Sequence, residues 1–89
     1  MSGRWERVPE VTWRRTAAGV IACRGRAVAP TELAGPTAAV WLALDEPSSA
    51  AEVAVAVSPP GGCDDDAVVR AGVEVQLAAL LAEGLARPA

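Results

Sequence analysis

The chain has 89 residues, 52% of them hydrophobic, and a formal net charge of −3. This length predicts one domain, and the negative charge argues against general nucleic-acid binding, which needs a cationic surface. The chain lacks histidine, which removes the commonest general base and metal ligand and excludes Ser-His and Cys-His catalytic pairs. We therefore expect a protein that is not an enzyme and that binds no metal or other cofactor.

The charge is unevenly divided along the chain. Residues 1–33 hold six arginines and three acidic residues, a balance of +3, whereas residues 34–89 hold two arginines and eight acidic residues, a balance of −6. A basic surface beside an acidic one suits a charged peptide or protein partner. Plain solubility explains the same division, and the sequence leaves both interpretations open.

The two cysteines, Cys23 and Cys63, have neither CxxC nor metal-ligand spacing. Small secreted domains usually carry several disulfides, so we interpret both as reduced thiols, although a Cys23–Cys63 disulfide stays open. No apolar run approaches the roughly 20 residues of a membrane span, and no signal-peptide pattern is present. These features predict a cytoplasmic protein without a membrane partner.

The first third of the chain has the residue pattern of short strands. Residues 1–10 are expected to be a flexible lead-in with a break at Pro9, and residues 11–87 the domain itself. Segments rich in β-branched or apolar residues then predict three strands, at 11–16, 20–24 and 26–31. Their simplest assembly is a three-stranded antiparallel meander. Because proline cannot donate to a β-ladder, Pro30 suits an edge strand, and the third strand of a meander is one.

From Gly35 onwards the pattern becomes helical. Pro36 fits the first position of a helix over 37–44, and Ser49 with Glu52 forms a capping box for a helix that ends near Val57. A third helix is predicted to begin at residues 64–66 and to end near residue 83, before a glycine. The three aspartates at 64–66 lack the ligand spacing of a calcium loop, and acids stabilise a helix N-terminus.

The third helix has more apolar surface than one small sheet needs. Four residues form the expected core stripe: Val69, Val73, Leu77 and Leu80. A second apolar row follows on the neighbouring face: Val68, Gly72, Val75 and Ala79. Either the first two helices cover this second row, or the row lines a groove that is open to a ligand.

Three motifs occur in an order and spacing that resemble the PqqD-like family of recognition elements for ribosomally made, later modified peptides. The first motif is Leu33-Ala34-Gly35-Pro36-Thr37-Ala38-Ala39-Val40-Trp41-Leu42-Ala43-Leu44. The second is Pro47 followed by Ser49 through Val57, and the third is Gln76-Leu77-Ala78-Ala79-Leu80-Leu81-Ala82-Glu83-Gly84-Leu85. The resemblance covers about residues 8–87.

The resemblance implies an α+β, winged-helix-like fold, in which a three-stranded antiparallel sheet is followed by three helices. It also implies that the leader of a precursor peptide adds a strand to the third strand, rests against the third helix and is presented to modifying enzymes. The implied leader-binding residues are Arg26, Ala27, Val28, Ala29, Pro30, Thr31, Val68, Gly72, Val75, Gln76 and Ala79. The implied enzyme partners are a protease, a cyclase or a radical-SAM enzyme, because stand-alone members of that family serve lasso-peptide maturation, radical-SAM pathways or cofactor synthesis from a peptide.

One residue departs from this scheme, and two other functions stay open. An outward-pointing Pro30 nitrogen would remove one donor and would confine strand pairing mostly to Arg26 and Val28. A winged-helix DNA-binding domain shares the architecture, but the third helix carries Arg70 alone among acids. The chain could also be a structural subunit of a larger enzyme complex.

Overall fold

A computed structural model describes residues 3–25, 28–58 and 66–89, which form an α+β fold. Its strands are β1 (Arg4–Arg7), β2 (Thr12–Thr16), β3 (Gly19–Cys23), β4 (Thr31–Ala34), β5 (Ser48–Ser49) and β6 (Ala86–Pro88). Its helices are α1 (Gly35–Ala43), α2 (Ala50–Val57) and α3 (Asp66–Ala82). The predicted winged-helix-like order, an antiparallel three-stranded sheet followed by three helices, is confirmed.

The strands form two antiparallel sheets, and the sequence predicted only one of them. The meander has the order β2–β3–β4, and the second sheet has the order β5–β1–β6. In the meander, Thr16 faces Gly19 across the turn, and the Thr16 hydroxyl accepts a hydrogen bond from the Gly19 N–H at 3.1 Å. Gly19 has φ of +152°, and a Cβ there would clash with the carbonyl oxygen of Leu33. Glycine at this position therefore lets β4 approach β3.

The third strand of the meander lies later in the chain than its predicted position. The prediction was residues 26–31, but β4 spans Thr31–Ala34; residues 28–30 are exposed and lie outside any strand, and residues 26 and 27 lie outside the described residues. Leu33 explains the shift, because it is buried opposite Val20 of β3, whereas Glu32 and Ala34 beside it are exposed. This alternation fits a strand with one buried face.

The predicted flexible lead-in is also corrected, because Arg4–Arg7 form β1, the central strand of the second sheet. Arg7 Nε and Nη2 donate to the carbonyl oxygens of Trp41 and Leu42 at 3.0 and 3.1 Å. Its guanidinium carbon lies 4.6 Å from the ring centre of Trp13 and 5.2 Å from that of Trp41. Burial lowers the pKa of Arg7, and the nearby charge of Asp45 raises it. Arg7 therefore joins β1 to β2 and to the end of α1.

The start of α2 and the end of α3 lie at the residues from which the sequence predicted them. Ser49 and Glu52 form the capping box of α2: the Glu52 N–H donates to Ser49 Oγ at 3.1 Å and the Ser49 N–H to Glu52 Oε1 at 2.9 Å. Gly84 has φ of +73° after α3. Its N–H donates to the Leu81 carbonyl, and the Leu85 N–H donates to the Leu80 carbonyl, which is a Schellman motif. The capping predicted for residues 64 and 65 lies outside the described residues.

A single core joins the meander to the helices. Its largest fully buried side chains are Trp41, Leu77, Leu80, Leu85, Val20, Val40 and Val53. Tryptophan and leucine therefore supply most of the bulk of the core, although Trp13 is 38% exposed and packs edge-on against Trp41. Within the described ranges, no helix has the length and apolar character that crossing a membrane requires.

Replacing Arg7 by lysine should lower the free energy of unfolding by about 1–2 kcal/mol, because lysine keeps the charge but loses the planar fork that bonds two carbonyls and stacks on the rings. Urea denaturation followed by tryptophan fluorescence measures the change. The control is Arg14→Lys on exposed β2, which should change stability by less than about 0.5 kcal/mol. Equal effects of the two substitutions would show that the Arg7 contacts do not stabilise the fold.

Candidate functional site

The main-chain direction of β4 follows from the turn between β2 and β3. Its two central residues, Ala17 and Ala18, separate the facing pair Thr16 and Gly19. In a hairpin with a two-residue loop, the pair that flanks the loop is of the hydrogen-bonded kind. Bonding alternates along a strand, so the next residue of β3, Val20, directs its main chain towards β4. Val20 faces Leu33 in the register. Leu33 and Thr31 are therefore the residues of β4 that bond to β3.

The remaining residues of β4, Glu32 and Ala34, direct their main chains away from the sheet. The carbonyl of Ala34 belongs to α1, because Ala34 is the N-cap of that helix. This leaves the N–H and C=O of Glu32 and the N–H of Ala34 on the outer edge. Both residues are exposed, and in the part of the chain that the structure describes β4 pairs with β3 alone. The outer edge of β4 is therefore open to a further strand.

An apolar groove begins two residues after this edge. It has a volume of about 380 Å³ and is lined by Pro36, Ala39, Val40, Val57, Val69, Gly72, Val73 and Gln76. These residues come from all three helices, and none of them carries a charge. The groove therefore suits uncharged side chains, and its position beside the end of β4 brings an apolar surface close to free main-chain groups.

A hydrogen bond fixes the start of α1 against α3 at this groove. The Thr37 hydroxyl donates to Gln76 Oε1, and both residues are partly buried. Because Thr37 is only three residues beyond Ala34, this bond also sets the distance between the outer edge of β4 and the middle of α3. Gln76 is thus a polar group at the border of an otherwise apolar groove.

Three of the sequence-predicted site residues lie in β4 or in the groove lining, and the other described ones lie outside both. Thr31 lies in β4, and Gly72 and Gln76 line the groove. The others described are exposed and lie outside both the strand and the groove lining: Val28, Ala29, Pro30, Val68, Val75 and Ala79. Arg26 and Ala27 lie outside the described residues.

The second apolar row of α3 is not covered by the first two helices. Val68 is 67% exposed and Val75 is 64% exposed, and Ala79 is also exposed. Gly72 is the member of the row that reaches the groove, because it lies nearest to Gln76 around the helix. The groove of the structure therefore lies closer to the core stripe than the groove expected from the sequence.

Sequence reasoning missed the two outward residues of β4 and the groove residues of α1. The alternation of Thr31, Glu32, Leu33 and Ala34 was a usable strand signal, but the third strand was predicted to end at Thr31, and Leu33 and Ala34 were assigned to the entry into α1. Pro36 and Ala39 carried no such signal, because their place in the groove depends on how α1 packs against α3.

A second space, of about 470 Å³, lies between α2 and the start of α3. Its lining includes Val55, Ser58 and Arg70. Residues 59–65, which connect these two helices, lie outside the described residues. We assign no site to this space.

The described ranges contain no group of three or more Cys, Asp and Glu side chains that could hold a metal ion. Comparisons with protein-family models, with curated proteins and with solved structures give no match for this chain. The interpretation of the site therefore depends on its geometry and on the resemblance of the sequence motifs.

Gly72→Ala should raise the free energy of unfolding by about 0.5–1 kcal/mol, because alanine has the higher helix propensity and a Cβ at Gly72 meets no atom within 4 Å. Thermal or urea denaturation measures the change. The control is Gly84→Ala, which should destabilise the fold because Gly84 has positive φ and lies against the Arg24 side chain. A destabilised Gly72→Ala protein would show that the groove is filled at this point.

Proposed function

We propose that this chain is a peptide-recognition domain for the leader of a ribosomally synthesised precursor peptide. The leader pairs as an added strand with the outer edge of β4 and places apolar side chains in the neighbouring groove. The observation that carries the proposal is the open edge at Glu32 and Ala34 beside an uncharged groove. In this proposal the domain works in the cytoplasm, performs no chemistry itself and presents the leader to modifying enzymes.

The two parts of the site suit an extended peptide in different ways. Main-chain groups at a strand edge bind a peptide backbone whatever its sequence, and pockets beside the edge select its alternate side chains. Here the edge offers two donors, on Glu32 and Ala34, and one acceptor, on Glu32. The groove of about 380 Å³ is large enough for apolar side chains and falls within the usual range of ligand pockets.

The opposite edge of the meander is less suitable for peptide binding. β2 is exposed along its whole length and carries Arg14 and Arg15. Charged side chains on an edge strand commonly oppose pairing with further strands. The residues of β2 also line none of the grooves described above, so a peptide strand there would gain no apolar contacts. These differences favour β4 as the binding edge.

Two other functions have less support. A DNA-binding domain would need basic residues facing outwards from α3, and Arg70 is the single basic residue of that helix. An enzyme would need reactive groups in a pocket, and the groove lining offers Gln76 as its polar side chain. The resemblance to PqqD-like proteins suggests that a protease, a cyclase or a radical-SAM enzyme modifies the bound precursor.

Glu32→Pro should weaken leader binding at least tenfold, because proline removes an outward N–H and keeps the bonds between β4 and β3. Tenfold corresponds to about 1.4 kcal/mol. The probe is a synthetic leader peptide from a precursor encoded next to this chain, and titration calorimetry measures the affinity. A labelled DNA duplex in the same buffer tests the DNA alternative.

Two controls separate the main chain from the side chain. Arg15→Pro makes the same replacement on the β2 edge, where the N–H of Arg15 also points outwards, and should leave affinity unchanged. Glu32→Lys keeps the N–H. If the leader contacts the main chain of residue 32, this variant should bind the leader with an affinity within about threefold of that of the native chain. Equal loss in Glu32→Pro and Arg15→Pro, or duplex binding without leader binding, would refute the proposal.

The groove has its own matched pair of variants in the same titration. Ala39 and Ala71 are both exposed helical alanines, but only Ala39 lines the groove. Ala39→Glu should weaken leader binding at least tenfold, because it places a charge in the apolar groove, whereas Ala71→Glu adds the same charge elsewhere and should not. Equal affinities for the two variants would remove the groove from the binding site.

A further inference from the structure

The outer edge of β4 is open to a second copy of this chain as well as to a peptide. Unpaired N–H and C=O groups on an edge strand are a template for pairing with any other strand. A second copy would occupy the same groups of Glu32 and Ala34 as a leader. The consequences for leader binding described below rest on the proposed function, but the pairing itself does not.

The groups on the edge define one favourable register for two antiparallel copies. With Glu32 opposite the same residue of the second copy, each Glu32 N–H donates to the other Glu32 carbonyl. Each Ala34 N–H then faces the carbonyl of Pro30 in the other copy. Pro30 has no N–H to donate, and the Ala34 carbonyl opposite it already accepts a bond within α1. In this register, the Pro30 nitrogen, which has no hydrogen to donate, therefore faces the Ala34 carbonyl, which already has its donor.

A shift of the register by two residues loses this match. Glu32 would then face Ala34 of the second copy, and each Glu32 N–H would meet an Ala34 carbonyl that the helix already uses. Pro30 would have no partner in the pairing. In the opposite shift Glu32 would face Pro30, so the Glu32 carbonyl would meet no donor, and the Ala34 N–H would have to pair with Val28, which lies outside any strand. The register with Glu32 opposite itself therefore forms the most complete ladder.

That same register brings two carboxylates together. Facing residues of an antiparallel pair place their side chains on the same face of the sheet, and like charges directly opposite each other are destabilising. Glu32 is the single charged residue of β4. We propose that Glu32 is a gatekeeper, whose charge prevents β4 from pairing with a second copy and so keeps the edge available to a peptide strand.

The two edges of the meander are therefore protected in different ways. β2 carries two positive charges, on Arg14 and Arg15, along an edge of five residues. β4 carries one negative charge, at the point where two copies would meet. A single substitution at Glu32 should therefore be enough to release self-pairing of β4.

Sedimentation velocity from about 10 μM to about 1 mM tests the gatekeeper, because small interfaces associate in the upper part of this range. The native chain and Glu32→Lys should each stay monomeric, because like charges face each other in both. Glu32→Gln should dimerise, with a dissociation constant about fivefold below that of the native chain. An equimolar mixture of the native chain and Glu32→Lys should form heterodimers.

Matched controls use Glu74, which is exposed on α3. Glu74→Gln, and a mixture of the native chain with Glu74→Lys, make the same charge changes away from β4 and should remain monomeric. Monomeric Glu32→Gln together with a mixture that does not associate would overturn the gatekeeper. Dimers of the Glu74 variants would overturn it too, because association would then follow net charge and not the edge.

The synthetic leader peptide separates this inference from the proposed function. If both hold, adding leader should dissociate the Glu32→Gln dimer, because the peptide and the second copy need the same groups. A dimer that binds leader without dissociating would support the gatekeeper and contradict leader binding at β4. Leader binding at β4 in a Glu32→Gln chain that never dimerises would support the proposed function and contradict the gatekeeper.

Discussion

The contacts of Arg7 hold the separate parts of this small fold together. Its guanidinium lies over the rings of Trp13 in the meander and Trp41 in α1, and it donates to two carbonyls at the end of α1. Arg7 itself belongs to β1, at the centre of the second sheet. One side chain thus fixes α1 against both sheets, and the position of α1 in turn decides where Pro36 and the groove lie relative to β4.

Those parts of the fold that depend on local chemistry could be predicted from the sequence. The capping box of Ser49 and Glu52 needs only residues three apart, and Gly84 caps the end of α3 through a hydrogen bond to Leu81, three residues before it. The alternation and turns of the first two meander strands are equally local. The α+β class, the antiparallel meander and the three helices were therefore within reach of pattern and propensity.

Parts that depend on distant partners could not be predicted in the same way. β1 pairs with β6, about eighty residues further along the chain, and neither strand is long enough to carry a clear pattern alone. The position of β4 depends on Leu33 meeting Val20 in the core. Because of this pairing, the open edge lies at Glu32 and Ala34 and not at the predicted residues 26–31. The packing of α1 on α3 places Ala39 in the groove.

Amide hydrogen exchange, measured by NMR with and without the synthetic leader peptide, tests the central claim most directly, because it reports on individual main-chain N–H groups. We expect leader to slow exchange at the outward amides of β4, on Glu32 and Ala34, and to leave exchange at the outward amides of β2, on Trp13 and Arg15, unchanged. A leader that binds without protecting Glu32 and Ala34, or that protects the β2 amides instead, would contradict the central claim.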